Sequence, residues 1–185
     1  MNRDDPDSGS VAPSFSGNER NRLFLGRDGN FSEVTLVSGV DFRQDGRGFA
    51  IVDFDKDGYL DLAITSPTEP RLKLMRNCLG DNPDAPTGNY LNVSLTGGNS
   101  EAKSNVDLSS ANACAAIIRV VVDGKTRVWQ ETCGEGLSTQ NSKWIHVGMG
   151  ESQQIDTLEV TWPSGKSTVR ENLKAGEWIR IFEGQ

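Results

Sequence analysis

Short runs of Val, Ile, Leu, Phe and Thr, each a few residues long and broken by glycine, proline or an Asp-Gly or Ser-Gly pair, recur along the chain from Asn21 onward. Runs of this length and punctuation predict strands and tight turns rather than helices. The first group falls at residues 22–25, 35–37, 48–53, 60–65 and 71–76. A second begins at NYLNVSLTG, where Leu91, Val93 and Leu95 alternate with polar neighbours, as in a strand with one buried face. A polar loop over 97–112 follows it, then a hairpin of 115–122 and 125–132 turning at Asp123-Gly124. Further strands are expected at 144–147, at 157–162 and 167–170 around Pro163-Ser164-Gly165, and at 177–182. The expected fold class is all-β.

Between the two groups the stretch GDNPDAPTG, residues 80–88, carries two prolines and no apolar side chain beyond Ala85, which marks residues 79–88 as a linker. Residues 21–78 form one expected domain and 89–185 a second, whose six or seven antiparallel strands suit a β-sandwich or a small barrel. Residues 1–20 are polar and without apolar periodicity, so they are expected to be a disordered tail.

Charge narrows the partners. A net charge of −7 gives no concentrated basic surface for nucleic acid, and cations are the better small partners. The longest apolar stretch, 113–122, is interrupted by Arg119 and is far short of a membrane span. Residues 1–16 lack the basic end and apolar run of a secretory signal, so an export signal is expected to lie outside this chain. If Asp123-Gly124 is a two-residue turn, positions summing to 247 face each other, and Cys114 and Cys133 are such a pair. A disulfide is then possible; a bulge would shift the register, and two small buried thiols are the alternative. Cys78 has no evident partner.

The sharpest chemical signal is DFDKDGYLD, in which Asp53, Asp55 and Asp57 alternate, Gly58 permits a sharp turn, and Asp61 closes the loop. Alternate carboxylates and one backbone carbonyl, that of Tyr59, suit a hard cation with six to eight oxygen ligands, which favours Ca²⁺ over the more strongly hydrated Mg²⁺. With no cation, carboxylates about 5 Å apart repel by roughly 3 kcal/mol per pair at an effective dielectric near 20. An EF-hand would need Glu at its twelfth position, where this chain has Ile64, and the flanks GFAIV and YLDLAI read as strands. The loop is expected to join two strands.

NRLFLGRDGNF, GRGFAIVDFDKDGYLDLAI and RLKLMRN together resemble an FG-GAP or VCBS repeat. The resemblance implies one blade of a β-propeller and assigns its calcium site to Asp53, Asp55, Asp57, Tyr59 and Asp61. Only one complete repeat is present, whereas a propeller needs about four or more blades, so the chain is expected to end a longer protein or to lean its blade on the second domain. IIRVVVDGKTRVWQE, LSTQNSKWIHVGMGESQQIDTLEVTWPSGK and ENLKAGEWIRI resemble the ASPIC/UnbV domain that follows such repeats in cartilage acidic protein-like proteins and their bacterial relatives. ACAAII departs from the Gly-Ala-Arg-Val often found there. This resemblance implies a secreted or cell-surface protein.

No catalytic set is expected. The single histidine, His146, has no nucleophile elbow, phosphate loop or zinc-ligand cluster around it, and Glu131 and Glu135 read as surface acids. Trp129, Trp144, Trp162 and Trp178 lie in strand patterns where core packing is the default, although exposed indoles would suit a sugar. Leu137, Ser138, Thr139, Gln140, Asn141 and Ser142 form a polar loop that is the first candidate for a binding surface; a structural turn is the alternative. The expected function is a calcium-binding, non-catalytic adhesion or recognition module, with a protein or glycan ligand at a cell surface or in matrix. Its alternatives are a carbohydrate-binding module and a non-catalytic appendage of a biosynthetic or hydrolytic enzyme.

Overall fold

The computed structural model describes residues 19–84, 88–101, 103–137 and 139–185. Most of the expected tail (1–18), Ala85 to Thr87 of the expected linker, and Ser138 of the candidate loop lie outside the described residues. The fold is all-β, with the strands of the described residues in four sheets.

In the first half, strands β1 (Phe24–Arg27) and β2 (Asn30–Glu33) form a hairpin whose turn residues Asp28 and Gly29 both have positive φ, at 50° and 77°. That geometry matches the right-handed twist of the flanking strands. Residues 35–37, expected to be a strand, instead belong to a one-turn helix, α1 (Thr35–Ser38). The Ser38 amide donates to the Val34 carbonyl at 3.0 Å, its hydroxyl donates to the Thr35 carbonyl at 2.9 Å, and Gly39 ends the turn at φ 75°. Local hydrogen bonding by Ser38 and the left-handed glycine override the β preference of Thr35 and Val37. Strands β3 (Gly48–Val52), β4 (Asp61–Thr65) and β5 (Leu72–Met75) then form an antiparallel sheet with β4 central. This sheet buries little: Phe49, Leu72 and Leu74 are 58%, 56% and 58% exposed, and Val40 is the one buried apolar side chain before residue 91 among the described residues.

The second half holds the core. Strands β6 (Asn89–Thr96), β9 (Ile145–Gly150) and β12 (Trp178–Phe182) make one sheet, with β6 central. Strands β7 (Ile117–Val122), β8 (Lys125–Gln130), β10 (Gln154–Thr161) and β11 (Ser167–Lys174) make the other, in the order β11-β10-β7-β8. Leu91, Val93 and Val147 from the first sheet and Ile118, Val120, Leu158 and Val160 from the second share one fully buried cluster. Two separate sheets over one core decide for the sandwich over the barrel. One expectation fails: β12 runs parallel to β6, pairing Trp178 with Asn92 and Phe182 with Thr96. The chain leaves β11 in the opposite sheet and crosses over before joining β6 at its starting end, where Gly176 N–H donates to the Tyr90 carbonyl at 2.7 Å. A period-two pattern fixes which side chains are buried but not the direction of a strand.

The β7–β8 hairpin turns at Asp123 and Gly124, with φ of 49° and 69°, and its register runs from Ile117 opposite Gln130 to Val122 opposite Lys125. Continuing that register, Cys114 and Cys133 are joined by a disulfide with a Cα–Cα distance of 5.5 Å. Cys78 is free and exposed.

Glu183, just past β12, ties the long 97–110 loop to the 163–165 turn. Its carboxylate accepts from the Gly98 and Ser109 amides at 2.8 Å each, from the Ser109 hydroxyl at 3.0 Å and from the Ser164 hydroxyl. Burial alone would raise its pKa, but the hydrogen bonds from Ser164, Gly98 and Ser109 together outweigh burial and hold it below the usual range. A lowered folded-state pKa means stability that is present above the unfolded value and lost as pH falls through the folded one. Glu183→Ala, which strands the buried Ser109 amide and the part-buried Gly98 amide, should cost about 2–4 kcal/mol in urea denaturation. Glu183→Gln should flatten the loss of stability below about pH 4.3.

Candidate metal centre

The acidic loop is the connection between β3 and β4, and the pairing of Val52 with Asp61 sets its base. Asp53 and Asp61 therefore leave and re-enter the sheet side by side, and both are buried. Lys56 at φ 63° and Gly58 at φ 91° curl the chain between them. The carboxylates organise the loop backbone. Asp53 Oδ2 accepts from Gly58 N–H at 3.2 Å, Asp55 Oδ1 from Asp57 N–H at 3.3 Å, and Asp57 Oδ1 from Tyr59 N–H at 2.9 Å. Asp61 accepts from Phe54 N–H at 3.1 Å and from Asn77 N–H at 2.7 Å.

One carboxylate oxygen each from Asp53, Asp55 and Asp61 lies within 4.8 Å of the others. Asp57 stands outside this group, and the Tyr59 ring packs over Gly80. Asp53 Oδ1 is buried and has no hydrogen-bond partner among the described residues. Burial is the main reason that the Asp53 carboxyl is pushed up; the charges of Asp57 and Asp55 add to it, and amide hydrogen bonds from Gly58 and Lys56 work against it.

Arg76, at the end of β5, had no place in the reading of the sequence. Its guanidinium donates to Asp55 at 2.7 Å, to Asp57 at 3.3 Å and to both oxygens of Asp81 at 2.7 and 2.9 Å. These contacts hold the Asp55 and Asp81 carboxyls below their usual range. The β4–β5 register, with Leu62 opposite Met75, places Arg76 beside Asp61; knowing that pairing would have found it.

The loop rests on the outer face of the β6 sheet. A Cβ on Gly58 would sit 2.2 Å from the Tyr90 ring, and Tyr90 in turn stacks on His146 with centroids 5.1 Å apart. Lys56 Nζ lies 5.7 Å from the centre of the Trp178 ring. The candidate loop 137–142 meets the blade on the free edge of β3. Asn141 Oδ1 accepts from Ile51 N–H at 2.8 Å, and Ser142 N–H donates to the Ile51 carbonyl at 3.1 Å. Thr139 and the Leu137 carbonyl press against Gly48, and Gln140 accepts from Gly134 N–H at 2.6 Å. Leu137 is 64% exposed.

Between loop and sandwich lies a cleft of about 490 Å³, lined by Trp129, Trp144 and Trp178, by Glu131 and Glu135, and by His146 with Asn92 beneath it. Trp162 alone among the four tryptophans is fully buried, its indole N–H donating to Thr168 Oγ1 at 2.9 Å. The expected surface acids thus share one concavity with three tryptophans; Trp129 also packs against the core as expected, whereas Trp144 and Trp178 do not, because strand periodicity does not distinguish a core face from a face covered by another segment. His146 is half-buried, and burial pushes its imidazole pKa down.

Gly58→Ala should lower stability by about 1–3 kcal/mol through the left-handed backbone and the collision with Tyr90. Gly29→Ala, at φ 77° with nothing within 4 Å, carries the backbone strain alone, so the difference between their urea midpoints measures the loop–Tyr90 contact.

Residues 10–64 match the family model for the FG-GAP-like repeat, residues 46–84 that for the FG-GAP repeat, and residues 107–185 that for ASPIC and UnbV. A search of curated proteins returned no match. FG-GAP and ASPIC/UnbV domains are generally non-catalytic, FG-GAP domains are typically extracellular and often bind Ca²⁺, and no helix among the described residues is long and apolar enough to cross a membrane. The acidic loop lies within both FG-GAP matches and the sandwich holds the ASPIC and UnbV match, so the chain carries FG-GAP repeat sequence followed by an ASPIC/UnbV domain.

Proposed function

We propose that the chain is a calcium-stabilised, non-catalytic recognition module of an extracellular or cell-surface protein, with a protein or glycan partner. The observations that carry this reading are the convergence of one carboxylate oxygen each from Asp53, Asp55 and Asp61 and, at Asp53, a buried oxygen that has no partner among the described residues. The donors are hard oxygens on a loop that joins two strands, a set suited to Ca²⁺ and lacking the softer ligands that zinc or copper prefers. A bound divalent ion would supply the positive charge that the Asp53 carboxylate lacks.

The scarcity of buried apolar side chains in the blade, among the described residues, gives the ion a structural role. The β3–β5 sheet leaves Phe49, Leu72 and Leu74 exposed, so its order depends on the loop and on hydrogen bonds to the sandwich. The disulfide and the FG-GAP match both support an oxidising, calcium-rich setting. Extracellular calcium modules bind at about 10⁻⁴–10⁻³ M, so millimolar calcium should add on the order of 1–2 kcal/mol by linkage.

Calorimetric titration should give one saturable calcium site and a rise in melting temperature in the wild type, with both lost in Asp55→Ala. Asp55→Ala also removes a contact to Arg76, so the quantity to compare is the increment that calcium adds over chelator, not the melting temperature itself. No heat and no increment at about 5 mM calcium would defeat the reading.

A further inference from the structure

The cleft between the acidic loop and the sandwich has the build of a ligand site. Its volume of about 490 Å³ lies within the roughly 300–1,000 Å³ of small-ligand clefts. The Trp144 and Trp178 rings meet edge to face with centroids 4.9 Å apart, and each has a cation of the chain over it: Arg180 over Trp144 at 5.5 Å and Lys56 over Trp178 at 5.7 Å. Trp129 is half-buried, packs against the core, and has no ring or cation stacked on it among the described residues.

The polar groups narrow the ligand further. Asn92 is 1% exposed and lines the cleft; its Oδ1 is 3.2 Å from His146 Nδ1, and its Nδ2 has no partner among the described residues. A buried amide donor without an acceptor is costly, so water or a ligand group in the cleft must supply one. An ammonium or guanidinium ligand has no acceptor to offer it. An anion would meet Asp53, Glu131 and Glu135. Glu131 lines the cleft, half-buried, and burial, then the charge of Glu135, push its carboxyl up; in either protonation state it can accept a hydrogen bond from a hydroxyl group. A hydroxyl group suits both, donating to Glu131 and accepting from Asn92, and the apolar face of a pyranose matches an indole.

We propose that this cleft binds a neutral oligosaccharide, with Trp129 as the stacking surface and Asn92 and Glu131 as hydrogen-bond partners of its hydroxyl groups. The proposal rests on the recognition-module reading but not on the calcium site, which forms only one wall of the cleft.

The test follows tryptophan fluorescence of the whole chain, in calcium, during titration with cellohexaose, xylohexaose, chitohexaose, mannohexaose and maltohexaose. Hexalysine and hexagalacturonate serve as charged controls. The expected result is a saturable change with at least one neutral sugar, weakened at least about tenfold in Trp129→Ala and in Glu131→Ala. Glu131→Ala guards against a folding defect from the loss of an indole that touches the core, and each variant's melting temperature is compared with the wild type. No saturable response to any neutral sugar at about 10 mM, a response to a charged control alone, or a sugar response unchanged in folded Glu131→Ala would overturn the proposal. Calcium heat measured on the same preparation separates the two readings. Calcium binding without a sugar response removes the cleft proposal and leaves the module reading standing, whereas a sugar response without calcium heat does the reverse to the metal site.

Discussion

Among the described residues, the first half of this protein has almost no interior of its own, and the contact that gives it a floor is the seat of the acidic loop on the outer face of the β6 sheet. Gly58 lies against Tyr90 closely enough that no side chain fits between them. On the other side of the same sheet, Leu91, Val93 and Val147 anchor the main core. The strands that carry Tyr90 and His146 are therefore held rigidly from behind. A loop with three converging carboxylates needs such a support, since their mutual repulsion would otherwise open it. The second support is the free edge of β3, where Asn141 and Ser142 satisfy the Ile51 amide and carbonyl. An edge strand left open invites pairing with other chains, and here a loop of the second domain covers part of it.

The charges in the loop divide into two sets. Arg76 serves the exposed side, where it reaches Asp55, Asp57 and Asp81. It leaves Asp53, which burial and its acidic neighbours push toward the protonated form. Asp61, deeper still, is satisfied by the Phe54 and Asn77 amides. The unmet demand for positive charge thus sits at one residue, on the buried side of the loop. A surface arginine compensates what water can also screen, whereas a buried carboxylate needs a charge delivered at contact distance.

Much of this was legible in the sequence. The Asp-Gly turn fixed the β7–β8 register, and with it the facing positions of Cys114 and Cys133, because a two-residue type I′ turn permits one register. The acidic loop was legible because its spacing is chemical rather than statistical. Other features were hidden because they depend on pairing between distant segments. The parallel entry of β12, the reach of Arg76 and the capping of β3 by Asn141 all follow from topology, about which local periodicity is silent. Thr35–Ser38 was misread because Thr and Val favour strands, and the left-handed Gly39 behind them weighs more in so short a run. Trp129 does pack against the core, as its strand position predicts, but Trp144 and Trp178 were misplaced for a related reason: an apolar position near a strand points to a covered face, and for these two the cover is the acidic loop with a gap left in it.

That gap connects the two proposed sites. Asp53 and Lys56 belong both to the acidic loop and to the wall of the cleft, and Lys56 extends over Trp178. An ion that fixes the loop would also fix this wall, and a ligand held against the wall would favour the loop conformation that binds the ion. Linkage requires the two effects to be equal in free energy. Their size is bounded by how far the loop moves without the ion, and three features keep that movement small. Asp61 is tied to two backbone amides, Gly58 is held against Tyr90, and β3 is fastened at Ile51. Coupling through so constrained a loop is expected to act on the position of the Lys56 ammonium and the Asp53 carboxylate rather than on the fold of the blade, because those are the charged groups of the loop that line the cleft.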